Sequence, residues 1–225
     1  LIWEIIISIW KMARHKNTRS NSRRPRRSLK KNYSIIVDGK TETWYFQMLR
    51  KNENLSQVNI KPELPKNKKL EELYELVIEH AKKYDKVVWI LDFDVLVKEE
   101  RARKKGQESS IKTFQEYVKD LQKNYPNVDV LVNNPCLEFW YLLHFEETGK
   151  FYSNCDDVIK QLRKYLPDYN KTQKYHINND IYKKLKKRQN FAKSNAKKLT
   201  NFDFENPHKA KAEIYKILDI LEIQD

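Results

Sequence analysis

Asp38 and Glu42, Asp92 and Asp94, and Glu138 are five acidic side chains in three short segments, each just past an apolar run. Carboxylates gathered in this way suit a hard divalent cation, which takes oxygen ligands. Asp92 and Asp94 have period-two spacing. On an extended strand both would point to one side, with Phe93 turned to the core. Two carboxylates so close repel unless a cation or a proton lies between them. Asp38 and Glu42 fit a strand-turn-helix junction, with Glu42 in the first turn, where its charge also complements the helix dipole. Glu138 is flanked by Leu137, Phe139 and Trp140. A carboxylate in such surroundings needs a partner, either a Lys or Arg or the cation of the same cluster. Asn134 and His144 are the nearby candidates for support by hydrogen bonding, although a lone His in an apolar helix also fits a core role.

The segments that must position these acids read as alternating strands and helices. YSIIV (33–37) is a short β-branched run that ends at the Asp38-Gly39 turn signal. Thr41 can cap the next helix, whose apolar residues Trp44, Tyr45, Met48 and Leu49 recur at helical spacing. QVNI (57–60) fits a short strand, and 68–84 an amphipathic helix. KVVWILDFD (86–94) is a continuous apolar run, as in a parallel strand covered on both faces. Residues 97–108 read as a charged loop or exposed helix start, and 111–121 as a helix. VDVLV (128–132) is a third clear strand, ended by Asn133-Asn134-Pro135, and 136–145 a buried helix. The order implies right-handed crossovers and a mostly parallel sheet in an α/β core over 32–150. Beyond 150 the strand signals stop. Residues 155–166, 179–199 and 207–222 are helical in pattern, so 151–225 is expected as a helical extension completing the domain.

The chain has 225 residues and a formal net charge of +14, which favours an anionic partner. Residues 11–31 hold ten Lys or Arg and no acid, whereas the rest, Glu4 aside, balances 35 basic against 30 acidic residues. Residues 1–31 are therefore expected as a disordered basic arm. Within it Arg23, Arg24, Arg26 and Arg27 are suited to phosphate contacts. The apolar LIWEIIISIW is too short to span a bilayer and lacks the order of a signal peptide. Residues 1–11 read as lying upstream of a natural start at Met12, or as an apolar helix packed on the body. Two cysteines, Cys136 and Cys155, do not make a disulfide framework or a zinc site, and a reducing, cytoplasmic setting fits. With three glycines in the chain, glycine-rich phosphate loops are absent.

DGKTETWYFQML, DFD, NNPCLEFWYLLHF and LPDYNKT occur in the order of RloB-like proteins, which this chain resembles from about Arg23 to Leu199. The NPCLEFW and LLHF block is the most specific part. The resemblance implies a TOPRIM domain, the metal-binding fold of topoisomerases, DnaG-type primases and OLD-family nucleases. It also implies that Asp38, Glu42, Asp92, Asp94 and Glu138 hold one or two magnesium ions, or manganese. A lysine beyond the acids would stabilise the phosphate transition state. Lys171, in Tyr169-Asn170-Lys171-Thr172, matches best, and Lys193 is a second candidate. The family pattern has Glu where this chain has Asp38, which shortens the reach by roughly 1.5 Å.

The expectation is a metal-dependent nuclease in which Glu42 and Lys171 act on the phosphodiester. The arm and a Lys-rich helix at 183–198 (Lys183, Lys184, Lys187, Arg188) would hold DNA or RNA, tRNA included. The resemblance further implies a phage-defence or restriction-associated role beside an ATPase partner. Two alternatives share the acids: a non-catalytic nucleic-acid- or partner-binding module, and a primase-like nucleotidyl transferase, for which no nucleotide motif is present.

Overall fold

A five-stranded sheet organises the chain, with strand order β2-β1-β3-β4-β5. The strands are β1 (Tyr33–Val37), β2 (Val58–Lys61), β3 (Lys86–Asp92), β4 (Val128–Asn134) and β5 (Lys211–Ala212). The first four are mutually parallel, and β5 pairs antiparallel with β4. The helices are α1 (Lys40–Asn52), α2 (Leu70–Ala81), α3 (Phe93–Ala102), α4 (Ser110–Asn124), α5 (Leu137–Leu143), α6 (Cys155–Leu162), α7 (Ile181–Lys186), α8 (Gln189–Lys198) and α9 (Lys216–Ile220). A π-helical turn spans Lys174–Asn178. This computed structural model describes residues 31–61, 69–207 and 209–223. Residues 1–30 of the basic arm, including Arg23, Arg24, Arg26 and Arg27, lie outside the described residues.

Period-two alternation along the strands splits the core into two layers. Ile35, Val37, Val88, Ile90 and Leu131 face one side, where α1, α5, α6, α7 and α8 pack. Ile36, Val87, Trp89, Leu91 and Val132 face the other, against α2, α3 and α4. Both faces of the central strands are covered, which is why they read as unbroken apolar runs. The chain leaves β1 toward β2 across one layer and returns past β1 to β3 across the other. The strand order therefore reverses between β1 and β3. The crevice outside the carboxyl ends of these two strands is where open α/β sheets take ligands.

The structure departs from the sequence pattern in several places. The strand ends at Asp92, not Asp94, because α3 begins at Phe93. The ladder to β4 stops at Asp92 opposite Asn133, and the Asp94 N–H is taken instead by the Pro135 carbonyl at 3.1 Å. Phe93 is nonetheless buried in the core. Of the two readings of 97–108, the helical one holds over 97–102, which belong to α3. The cap of α1 is Gly39, so Thr41 lies inside the helix. The Lys-rich stretch is two helices, with a turn at Lys187 and Arg188 closed by the Arg188 N–H on the Leu185 carbonyl at 2.8 Å. Successive cations at Lys183, Lys184, Lys186, Lys187 and Arg188 repel across one another and disfavour a continuous helix there.

The largest departure is β5, a strand beyond residue 150. At two residues it is too short to show periodicity, and it exists because β4 offers an open edge. Glu213, buried just after it, holds this edge in place. Its carboxylate accepts from the Val132 N–H at 2.9 Å, the Phe202 N–H at 3.1 Å and Lys216 Nζ at 2.7 Å. Removing that carboxylate leaves a buried N–H, a part-buried N–H and a cation without their acceptor. Glu213→Ala is expected to cost about 3 kcal/mol, measured as a lowered midpoint in urea unfolding. An unchanged midpoint would show that the edge is held by other means.

Candidate metal centre

Asp38 follows the last residue of β1, and Asp92 is the last residue of β3, its neighbour in the sheet. Glu42 stands in the first turn of α1 and Asp94 in the first turn of α3. These four acids line a cleft of about 510 Å³ at the crevice between β1 and β3. Lys40, Lys69, Lys98 and Lys171 line the same cleft. The result is an acidic floor with a lysine rim.

Glu42 is seated by Gly39. Its Oε2 lies 1.8 Å from where a Cβ on residue 39 would stand, so any side chain there would displace the carboxylate. Gly39 has an ordinary extended φ of −113°; the requirement is for space. Glu42 lies close enough to Asp92 for the two carboxyls to act on each other directly. Burial, then the charge of Glu138, pushes Glu42 up to about 7. Burial and Glu42 together raise Asp38 well above the carboxylate range, and the same two causes raise Asp92. Asp94 is neutralised differently, by Lys98 Nζ at 2.7 Å.

Asp92 is held from β4 and α5. Its Oδ1 accepts from Asn133 Nδ2 at 3.2 Å, and its Oδ2 from the Leu137 N–H at 3.0 Å. Glu138, fully buried at the start of α5, has the salt bridge that sequence left open. Its Oε1 meets Lys171 Nζ at 3.0 Å and the Tyr169 hydroxyl at 2.7 Å. Burial works against the charge of Lys171, but Glu138, Asp92 and Glu42 outweigh it and hold the ammonium above its ordinary range.

The donor set fits a hard cation. It is rich in carboxylate oxygen, and several of these groups are too close to ionise together unless positive charge joins them. The Asn133 Oδ1, buried beside Asp92, has no hydrogen-bond partner among the described residues and offers one more oxygen. The tightest grouping of possible ligand atoms among the described residues is a different one, Cys136, Glu138 and Cys155, within 4.8 Å of one another. Its sulfurs are joined in a disulfide, so they are not available as a thiolate pair. This corrects the expectation of free thiols. The two cysteines are 19 positions apart in the chain, and only the packing of α6 against α5 brings them together.

The remaining candidates divide. Asn134 does not reach the acids; its Nδ2 donates to the carbonyls of Pro207 and Lys209 at 2.6 and 2.9 Å, and its neighbour Asn133 takes the site role. His144 is a satisfied core residue, with Nδ1 on the Trp140 carbonyl at 2.9 Å, and burial lowers its pKa to about 4. Lys193 pairs with Asp219 at 2.5 Å, away from the cleft. Lys183, Lys184, Lys187 and Arg188 are exposed on α7 and the turn after it, and none lines the cleft. Lys184 approaches Asp168 at 3.6 Å, and Arg188 lies over the Phe145 ring. Asn133, Tyr169 and the rim lysines Lys40, Lys69 and Lys98 were not singled out from sequence. Tyr169 stands beside Lys171 in the Tyr-Asn-Lys-Thr segment and carried the one available signal.

The model of a family described as RloB-like protein matches residues 33–221. The chain belongs to the RloB-like family. The match covers β1 through α9 and therefore every acid of the cleft. No curated protein and no solved structure matches this RloB-like chain. No helix among the described residues is long and apolar enough to cross a membrane.

Two outcomes are expected. Glu42 has a folded pKa near 7, raised above its unfolded value, so its contribution to stability is complete below about pH 4 and is lost as pH rises through 7. In chelator at pH 8, Glu42→Gln should therefore be more stable than the parent by roughly 3 kcal/mol, with the gain vanishing near pH 4.5. Denaturant titration at both pH values checks this, and a gain that is independent of pH would contradict it. Gly39→Ala should push the Glu42 carboxylate out of its seat and flatten the same pH dependence of stability, while the far-ultraviolet circular dichroism stays unchanged.

Proposed function

We infer that this RloB-like protein is a divalent-metal-dependent nuclease of TOPRIM type. The observation that carries the reading is the acidic cleft at the β1/β3 switch point with lysines around its rim. A phosphodiester needs cations on its oxygens, and a carboxylate floor beneath a lysine rim supplies both. Asp38, Glu42, Asp92, Asp94 and Glu138 are the residues that would hold Mg2+ or Mn2+. Bound there, the ion supplies Lewis-acid charge for the phosphate oxygens and lowers the pKa of water.

The chain's own groups do the rest. Glu42, which lines the cleft beside Asp92, is the carboxylate placed to take a proton from the attacking water. Lys171 stands in the cleft wall as a fixed positive charge against the charge that develops on the phosphate. Lys40, Lys69 and Lys98 orient the strand by its phosphates, which carry affinity without sequence preference. The Arg-rich arm and the exposed cations of α7 extend the contact with DNA or RNA. Family resemblance supports a defence or restriction-associated role with an ATPase partner in the cytoplasm, and the cleft itself is silent on it.

A second reading is favoured by one observation. Lys98 and Lys171 already pair with Asp94 and Glu138, an arrangement that a cation-free module binding nucleic acid or a protein would also use. The shorter Asp38 agrees with it. Cleavage of DNA, RNA and tRNA substrates with Mg2+ or Mn2+ separates the two. The nuclease reading expects product with metal, none with chelator, and none from Asp92→Ala. Lys171→Ala should lower kcat by about 10²–10³-fold. Cleavage that persists in Asp92→Ala would overturn the metal role of the cleft.

A further inference from the structure

Both cysteines of the disulfide line the acidic cleft. Cys136 caps α5 two residues before Glu138, and Cys155 is the first residue of α6. Cys155 Sγ lies 2.9 Å from Glu138 Oε2, the oxygen opposite the one that Lys171 and Tyr169 occupy. Lys171 Nζ is 3.3 Å from the same sulfur. A disulfide sulfur carries no hydrogen. At this distance it touches Oε2 without donating to it, and that oxygen keeps its lone pairs. A free Cys155 thiol in the same place would donate S–H to Oε2 and occupy them. The redox state of the pair thus decides whether one buried carboxylate oxygen beside the cleft is free of a hydrogen bond or engaged in one.

We propose that Cys136 and Cys155 are a reversible dithiol-disulfide pair that sets the cation affinity of the acidic cleft, tighter in the oxidised form. In the oxidising direction two S–H bonds break and one S–S bond forms. A small disulfide, RSSR, takes up the two electrons and two protons and leaves as two RSH. Reduction runs the reverse with a thiol or phosphine as reductant. The inference rests on the cleft being a cation site. The cost of capping Oε2 is that of one hydrogen bond to a charged group, so reduction should weaken Mn2+ binding about tenfold.

The test uses the full chain, oxidised with 2-hydroxyethyl disulfide or reduced with a phosphine. Alkylation followed by mass spectrometry counts thiols, and paramagnetic resonance measures Mn2+ affinity in each state. Two thiols should appear on reduction and disappear on oxidation, with affinity following. Cys155→Ser keeps a donor without a bridge and should bind weakly in both states. Cys155→Ala has neither donor nor bridge and should bind like the oxidised parent in both, which separates capping of Oε2 from slackening of the chain. Equal Mn2+ affinity in the two states, with the thiol count changing, overturns this inference and leaves the cation reading standing. Absence of Mn2+ binding in either state overturns both, and thiols that never pair overturn this inference alone.

Discussion

Glu42, in the first turn of α1, and Asp92, at the end of β3, are held close together, and most of the site is arranged around that enforced closeness. Each carboxylate is buried, which raises its proton affinity, and the charge of Glu42 raises Asp92 further. Water would separate them in an open chain. Here the β1–β3 ladder fixes one strand end beside the other, and the missing side chain of Gly39 lets Glu42 lie back over the turn. The surrounding polar bonds answer the same constraint. Asn133 and the Leu137 N–H hold Asp92, Lys98 neutralises Asp94, and Lys171 neutralises Glu138.

This arrangement couples the second half of the chain to the first. Glu138 enters from α5, Lys171 from the loop ahead of the π-helical turn, and Cys155 from α6. None of the three is near β1 or β3 in sequence. Their contact with the strand-end acids depends on α5 packing on the same face of the sheet as α1, where Trp140 Nε1 donates to the Tyr45 hydroxyl at 3.0 Å. The helical part beyond residue 150 is therefore joined to the site chemically as well as by core packing.

The strands, the alternation with helices and the four acids at the strand ends were legible because each leaves a local signal. A buried parallel strand is a continuous apolar run, and a carboxylate that interrupts it stands at its end. The errors arose where parity or distance decides. Asn133 and Asn134 are adjacent and chemically identical, but alternation along β4 aims one at Asp92 and the other at the loop near Pro207. The Asp92-Phe93-Asp94 spacing suited a strand, yet the chain turns into a helix once the Asp94 N–H finds the Pro135 carbonyl.

By itself the sequence determined the α/β class, the acidic character of the site and the membership of Asp38, Glu42, Asp92 and Asp94, because these follow from short-range pattern and residue type. Only the tertiary structure decided that Lys171 and not Lys193 faces the acids, that β5 closes the sheet edge, and that Cys136 and Cys155 meet beside Glu138. Those contacts join residues far apart in the chain. Their energies come from packing α5, α6 and the following loop onto one face of the sheet, and no local pattern encodes which of several similar side chains that packing brings inward.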